Sequence, residues 1–373
     1  MQAALFQPIT IAGMEFANRI VVSPMCQYSA ENGAATDWHM IHLGQLALSG
    51  AALLMLEATA VEPQGRIAPG DLGLWDDATE AALARVLKAC RRYGSGRIGI
   101  QLAHAGRKGS AQAPWDGGKA LGAGEGAWET IAPSALPFGP GWPAPRAFAA
   151  ADFQRVKDGF AAAARRALRL DIDVVELHAA HGYLLHEFLS AVSNRRDDAY
   201  GGSLENRMRF PLEVFEAVRQ VWPKDRPLGA RITGSDWIDG GVTTDEAVAF
   251  AQELKRRGCD FVDVTSGGIA PDARIKLGPG YQVPFASAVR RVTGLPTWGV
   301  GLITSPRQAN EIITVGDADM IELARGFLDN PRWVWHAAAE LGVDLTYPPQ
   351  YRRAHPSVWP GRAMAAPRPE AAQ

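Results

Sequence analysis

Eight short apolar runs, each followed by a stretch with helical periodicity, dictate most of what this chain can become. The runs fall at 20–23, 53–58, 98–103, 174–178, 228–233, 261–265, 297–300 and 320–323. They are short and rich in Val, Ile and Leu, as strands buried on both faces are. Helical segments follow at 40–48, 78–92, 153–170, 204–221, 245–257, 285–292, 307–315 and 332–340. The second and third carry apolar stripes at helical spacing. Gly94, Gly258, Gly294 and Gly342 follow helix ends, where left-handed caps are expected. Regular alternation of this kind calls for parallel strands joined by right-handed crossovers. The expected fold is α/β, a closed (β/α)8 or TIM barrel, with a doubly wound open sheet as the alternative.

The 373 residues suit one such barrel with insertions, so residues 1–373 read as a single domain. An N-terminal hairpin is expected over 9–16, turning near Gly13. Residues 108–150 are rich in Gly, Pro and Trp and lack periodicity; after the third strand they read as a lid. An extended C-terminal tail begins at Asp344, with prolines that argue against helix, and beyond Pro360 the composition reads as disorder.

Composition narrows the function classes. Apolar residues make up 47% and formal net charge is −2, so a large core is available and no basic excess for nucleic acid exists. Cys26, Cys90 and Cys259 are too few and too scattered for a disulfide framework or a zinc site. No secretory signal opens the chain, and no run reaches membrane-spanning length. A reducing cytoplasm is expected, with no membrane partner and no metal.

Barrel chemistry sits at the C-terminal strand ends. There the first strand offers Pro24, Met25, Cys26, Gln27 and Tyr28, the second Ala58, and the third Gln101 and His104. The fourth runs into Val174-Val175-Glu176-Leu177-His178-Ala179-Ala180-His181-Gly182-Tyr183. Strand positions three apart face opposite ways, but past the strand end a turn at Gly182 lets His178 and His181 converge beside Tyr183. Imidazole N–H donors next to a phenol can grip an oxygen and deliver a proton. The fifth strand supplies Arg231, the seventh Gly299-Val300-Gly301, and the eighth Ala324-Arg325-Gly326. Glycines and an arginine at the last two strands suit a phosphate. Gln101 can pair with the edge of a heterocycle and Arg231 with an electron-rich ring nitrogen. Together they imply a flat, phosphorylated cofactor across the mouth. Gly94-Ser95-Gly96-Arg97-Ile98-Gly99 matches a dinucleotide fingerprint literally, but it follows a helix and opens a strand, which is the wrong context.

Four motifs in one order carry a resemblance. They are Ser23-Pro24-Met25-Cys26-Gln27-Tyr28, Gln101-Leu102-Ala103-His104-Ala105-Gly106-Arg107-Lys108, the histidine stretch, and Ser193-Asn194-Arg195-Arg196-Asp197-Asp198-Ala199-Tyr200-Gly201-Gly202-Ser203-Leu204-Glu205-Asn206-Arg207. From about residue 6 to 353 the chain resembles the Old Yellow Enzyme family, in its bacterial thermophilic-like branch. The resemblance implies non-covalent FMN and NAD(P)H-dependent reduction of activated alkenes, with NADPH favoured. It implies flavin contacts from Ser23, Pro24, Met25, Cys26, Ala58, Gln101, Arg231, Gly301, Ala324 and Arg325. It makes His178 and His181 the ligands of an enone or nitroalkene oxygen, Tyr183 the proton donor and Tyr28 the roof. Cys26 is then a tuning residue rather than a nucleophile. Arg353 matches an arginine that enters a neighbouring subunit's site, which implies a homodimer or homotetramer. The longer 108–150 segment and the longer tail depart from the pattern. Two rival readings of the residues are a metal-dependent barrel hydrolase using His178, His181 and His104, and a non-catalytic ligand-binding barrel.

Overall fold

The structure, a computed structural model, describes residues 3–361. β1 (Ile9–Ile11) and β2 (Met14–Phe16) form the antiparallel hairpin. Its turn residues Ala12 and Gly13 both have positive φ, 48° and 78°, as tight hairpin turns require. Then come β3 (Ile20–Val22), α1 (Asp37–Ala47), β4 (Leu53–Ala60), α2 (Asp77–Tyr93), β5 (Arg97–Ala103), β6 (Ile131–Ala132), β7 (Arg146–Ala147), α3 (Ala150–Arg169), β8 (Val174–Ala179), α4 (Leu184–Leu189) and α5 (Leu204–Arg219). The order ends with β9 (Leu228–Thr233), α6 (Thr244–Arg256), β10 (Phe261–Thr265), α7 (Val283–Thr293), β11 (Thr297–Gly299), α8 (Pro306–Val315), β12 (Met320–Leu323), α9 (Arg325–Asp329) and α10 (Trp333–Glu340).

Strands β3, β4, β5, β8, β9, β10, β11 and β12 pair side by side in that order, all parallel. β12 then closes on β3, with Ile321 opposite Ile20 and Leu323 opposite Val22, so the sheet is a barrel and not open. Alternation along each strand sorts the inward side chains by height. Lowest are Val21, Leu53, Val174, Phe261, Trp298 and Met320, which form one apolar cluster with Met55. Two residues further along their strands stand Ser23, Gln101, Glu176, Asp263 and Glu322, with Arg231 beside Asp263. Two more bring His178, Thr265 and Ala324 to the mouth. A bulge between Leu56 and Ala58 leaves Glu57 out of the β4–β5 register and sets Ala58 opposite Gln101.

Differences from the sequence expectations have local causes. α1 starts earlier than expected because Thr36 and His39 cap it; the Thr36 N–H donates to His39 Nδ1 at 3.0 Å. α4 is buried on every side and α9 is one turn long, so neither shows an amphipathic pattern. Gly258, Gly294 and Gly342 are left-handed caps, but Gly94 has φ −82°. It is needed instead for close approach, since a Cβ there would fall 2.7 Å from Cys90 O. Residues 108–150 are not structureless: 3-10 turns and the parallel pair β6–β7 punctuate them. Arg196 Nη1 ties this region down by donating to Pro133 O and Phe148 O at 3.0 and 3.1 Å. The tail forms a 3-10 turn, Pro349–Ala354, seated on Trp335 through Tyr347 and Tyr351. Most of the stretch read as disordered, 362–373, lies outside the described residues. Among the described residues no helix is long and apolar enough to cross a membrane.

Candidate active site

β8 carries Glu176 and His178 inward. Beyond Ala179 the chain leaves the strand, and His181 (φ 59°) and Gly182 (φ 74°) both take the left-handed conformation. That reversal returns His181 beside His178, ring centroids 5.2 Å apart and nearly perpendicular, with Tyr183 4.9 Å from His178. His178 Nε2 and His181 Nδ1 face each other at 3.4 Å, so both nitrogens point at one spot. A Cβ on Gly182 would fall 2.1 Å from Gly268 O; only glycine lets the turn after β8 touch the loop after β10.

Three residues that sequence reasoning passed over hold this turn. Lys108 Nζ donates to His181 O at 2.7 Å and to Gly268 O at 3.0 Å. From below, the Gly182 N–H donates to His186 Nδ1 at 2.8 Å, and His186 Nε2 lies 3.0 Å from Asp236 Oδ1. Lys108 sat at the edge of the supposed lid and His186 in an unforeseen helix, so neither had a context that marked it.

Both site imidazoles are kept neutral. Burial lowers the pKa of each well below the ordinary histidine value, and the Arg231 charge adds to it. His178 Nδ1 accepts the Ala180 N–H at 3.3 Å, which leaves its proton on Nε2, toward the shared spot. The Thr265 hydroxyl donates to Gln282 Oε1 at 3.1 Å and so accepts the His181 Nε2–H at 2.9 Å, which leaves His181 Nδ1 as an acceptor facing the His178 Nε2–H. Burial holds the Tyr183 phenol well above its ordinary pKa, so it stays protonated.

Beneath lies a charge cluster. Arg231 Nε is 2.7 Å from Asp263 and its Nη2 is 2.9 Å from Glu322. Gln101 donates to Glu176 Oε1 at 2.7 Å. Burial, then the neighbouring Glu322, raises Glu176 to about 8. Arg231 is thus ion-paired scaffold and cavity wall at once. A cavity of about 220 Å³ is lined by Arg231, His181, Gln282, Gly301, Ala324 and Arg325, among others. Among the described residues no ion pair engages Arg325, which lies exposed at this cavity.

The β3–α1 segment forms the opposite wall. Pro24, Met25, Cys26 and Tyr28 are half-buried, and Ser23 is buried with its Oγ 3.4 Å from Arg231 Nη1. Glu57, turned outward by the bulge, accepts the Gln27 N–H at 2.9 Å and meets His39 Nε2 at 3.2 Å, which fixes the segment. Burial pushes the Cys26 thiol up, with Asp71 and Glu57 reinforcing it, so the residue is a thiol and not a thiolate nucleophile. Tyr28 has φ 49° and meets Trp115 edge to face at 5.7 Å; the 108–150 segment does reach the mouth. Arg353 is exposed on the tail turn, and no contact joins it to this chain's own histidine pair. His104 is also apart from that pair, bound to Glu62 at 2.9 Å.

The pattern of the NADH:flavin oxidoreductase / NADH oxidase family matches residues 4–343. The chain belongs to this family. An NADPH dehydrogenase of Geobacillus thermodenitrificans is 47% identical over 95% of this chain and 99% of its own. An NADH:flavin oxidoreductase of Gibberella zeae is 44% identical over 91% of this chain and 86% of its own. Morphinone reductase superposes with a TM-score of 0.77 at 28% identity, covering 93% and 91% of the two chains. The old yellow enzyme homologue from Zymomonas mobilis gives 0.75 at 26%, covering 92% and 94%. The protein is an FMN-dependent NAD(P)H oxidoreductase of the ene-reductase kind. The residues fit the cofactor: an unpaired arginine and a glycine backbone line one cavity with a buried guanidinium, which suits a phosphate and an electron-rich ring.

Proposed function

We propose that the enzyme reduces the C=C bond of α,β-unsaturated carbonyl or nitro compounds, with His178 and His181 on the acceptor oxygen and Tyr183 as proton donor. The observation that carries this reading is the convergence of two neutral imidazole nitrogens on one spot beside an un-ionised phenol. Bound FMN supplies hydride chemistry at the β-carbon. The His178 Nε2–H donates to the acceptor oxygen and stabilises the negative charge that develops there, and His181 Nδ1 becomes a second donor when the Thr265 proton turns from Gln282 to His181 Nε2. Tyr183 then protonates the α-carbon. Lys108, His186 and Asp236 keep the turn in register.

Within the same proposal, Ser23, Pro24, Met25, Cys26, Ala58, Gln101 and Arg231 flank the flavin ring, while Gly301, Ala324 and Arg325 hold its phosphate. Tyr28 roofs the pocket. NADPH is the favoured donor, supported by the name of the Geobacillus relative. Arg353, exposed and remote from its own histidine pair, completes a neighbouring subunit's site in a homodimer or homotetramer. The three free cysteines support a cytoplasmic setting.

The decisive experiment is Tyr183→Phe followed by stopped-flow flavin absorbance in both half-reactions. Flavin reduction by NAD(P)H should keep its rate, because no proton goes to carbon there. Alkene reduction should slow by about 10²–10⁴-fold, the usual size of general acid catalysis. Equal slowing of both halves would show that Tyr183 only shapes the pocket.

A further inference from the structure

We propose that Asp71 returns the proton to Tyr183 after each turnover, through one water held in a small cavity that the two side chains share. The proposal rests on the reading of Tyr183 as proton donor. Asp71 belongs to the loop after β4, which lies directly against the substrate roof: a Cβ on Gly70 would fall 2.3 Å from Tyr28 O. The side chain is 2% exposed. Its Oδ2 accepts the Ile67 N–H at 2.6 Å, while its buried Oδ1 has no hydrogen-bond partner. A buried carboxyl oxygen left unpaired is costly, and a functional role is one explanation for keeping it.

The cavity supplies that role. About 10 Å³ is enclosed by Ala58, Ala60, Gly65, Ile67, Ala103 and Ala105, with Asp71 and Tyr183 as its ionisable lining residues. That volume is about one water-sized probe, and a buried water needs about two to four polar partners, of which these two side chains provide a pair. Tyr183 lines this cavity together with Asp71, so a proton can reach it from that side.

The relay balances. Tyr183 O–H breaks as a C–H bond forms at the α-carbon, leaving a tyrosinate. The water gives a proton to the tyrosinate oxygen and takes one from Asp71, whose O–H breaks to leave a carboxylate. Asp71 regains a proton from solvent after product departs. No electrons move in the relay, and one solvent proton is consumed per hydride. Asp71 can hold that proton at neutral pH: burial raises it to about 8, and Glu57 pushes the same way. The Ile67 N–H and Arg66 pull against them. The other ionisable groups facing it are Cys26, Tyr28 and Tyr183, all kept un-ionised by burial.

The test uses the FMN-loaded enzyme, steady-state alkene reduction from pH 6 to 9, and infrared difference spectra of the protonated carboxyl band. The wild-type rate should fall as pH rises through about 8, in step with loss of a carboxyl band. Asp71→Asn should remove the Asp71 component of the carboxyl band, leaving those of Glu176 and Glu187, abolish the inflection in rate and lower the plateau roughly tenfold, less than loss of the direct donor. Asp71→Glu should restore part of the rate, and NAD(P)H should reduce the flavin of Asp71→Asn at the wild-type rate. In a Tyr183→Phe background Asp71→Asn should add nothing. An inflection that survives Asp71→Asn, slowing of both half-reactions alike, or effects that multiply with Tyr183→Phe would overturn the relay. If Tyr183→Phe is slow and Asp71→Asn is normal, the relay alone fails; if Tyr183→Phe is normal, the donor assignment fails. Should Asp71→Asn not fold, Ala60→Val decides, because it fills the cavity and must slow alkene reduction with Asp71 intact.

Discussion

Floor and mouth of this barrel are built from the same strands and carry opposite chemistry. On the floor, Val21, Leu53, Val174, Phe261, Trp298 and Met320 meet Ile11 and Phe16 of the hairpin, every residue of the cluster 3% exposed or less. Two residues further along those strands, Glu176, Asp263 and Glu322 surround one guanidinium, and two more bring His178. Buried carboxyl oxygens such as Glu176 Oε2 and Glu322 Oε1 have no hydrogen-bond partner there. Such groups weaken a fold unless something compensates. The floor is what compensates: it holds the strands closed while the mouth keeps groups that a cofactor and substrate complete.

The largest test of that division is to open the floor. Trp298 is fully buried and stacks on Phe261 at 4.1 Å. Trp298→Ala should cost about 3–5 kcal/mol in unfolding free energy. Trp298→Phe should cost much less, because the indole N–H that it removes has no hydrogen-bond partner. Denaturant unfolding of the flavin-free protein measures both. At 25 °C the folded Trp298→Ala enzyme should retain the wild-type rate ratio between its two half-reactions. A change confined to alkene reduction would mean that floor and mouth are coupled.

The next test touches only the mouth. Arg325 is exposed and makes no ion pair among the described residues, so removing it strands no buried partner. Arg325→Ala should weaken FMN binding by about 1.5–3 kcal/mol, the worth of a charge-assisted hydrogen bond. Stability of the flavin-free protein should be unchanged. Equilibrium titration with FMN, followed by flavin fluorescence, separates the two. Unaltered affinity would remove Arg325 from the phosphate site.

How legible each end was follows from the same contrast. The barrel could be read because each strand is a continuous apolar run and each long helix has one apolar stripe. The mouth residues His178, Arg231 and Arg325 could be read because strand ends carry the chemistry in such barrels. Lys108, His186 and Asp236 could not, since Lys108 reaches backbone carbonyls 73 and 160 residues away and His186 is held by Asp236, which no local pattern encodes. Asp71 looked like any loop aspartate until its burial was known. Alternation with Leu53 and Met55 would point Glu57 into the barrel, but one bulge turns it outward to His39.

The smallest expected effect concerns pH, and it too separates mouth from floor. Burial raises Asp71, Glu176 and Glu187 each to about 8. A raised carboxyl keeps its proton in the folded chain after the unfolded chain has lost it, so stability falls as pH rises toward 8. Burial raises Asp263 as well, so it pushes the same way. His178 and His181 are lowered and oppose this, their contribution rising with pH until about one unit above 6.5. Lys108, lowered to about 8, opposes it from around that value upward. Each raised carboxyl adds a falling slope of at most about 1.4 kcal/mol per pH unit for its retained proton, and a variant that deletes one isolates its share. Glu187 is fully buried and accepts the Arg107 N–H through Oε1 at 2.8 Å. Glu187→Gln keeps that acceptor and deletes the ionisation. Its unfolding free energy should therefore fall less steeply than wild type from pH 6.5 to 8, by no more than about 2 kcal/mol over the interval. Urea melts at matched pH values measure the slope. Floor variants such as Trp298→Phe, which change no titrating group, should run parallel to wild type. If Glu187→Gln also runs parallel, Glu187 is already ionised in the folded protein, and Arg107 with Lys108 compensates its burial.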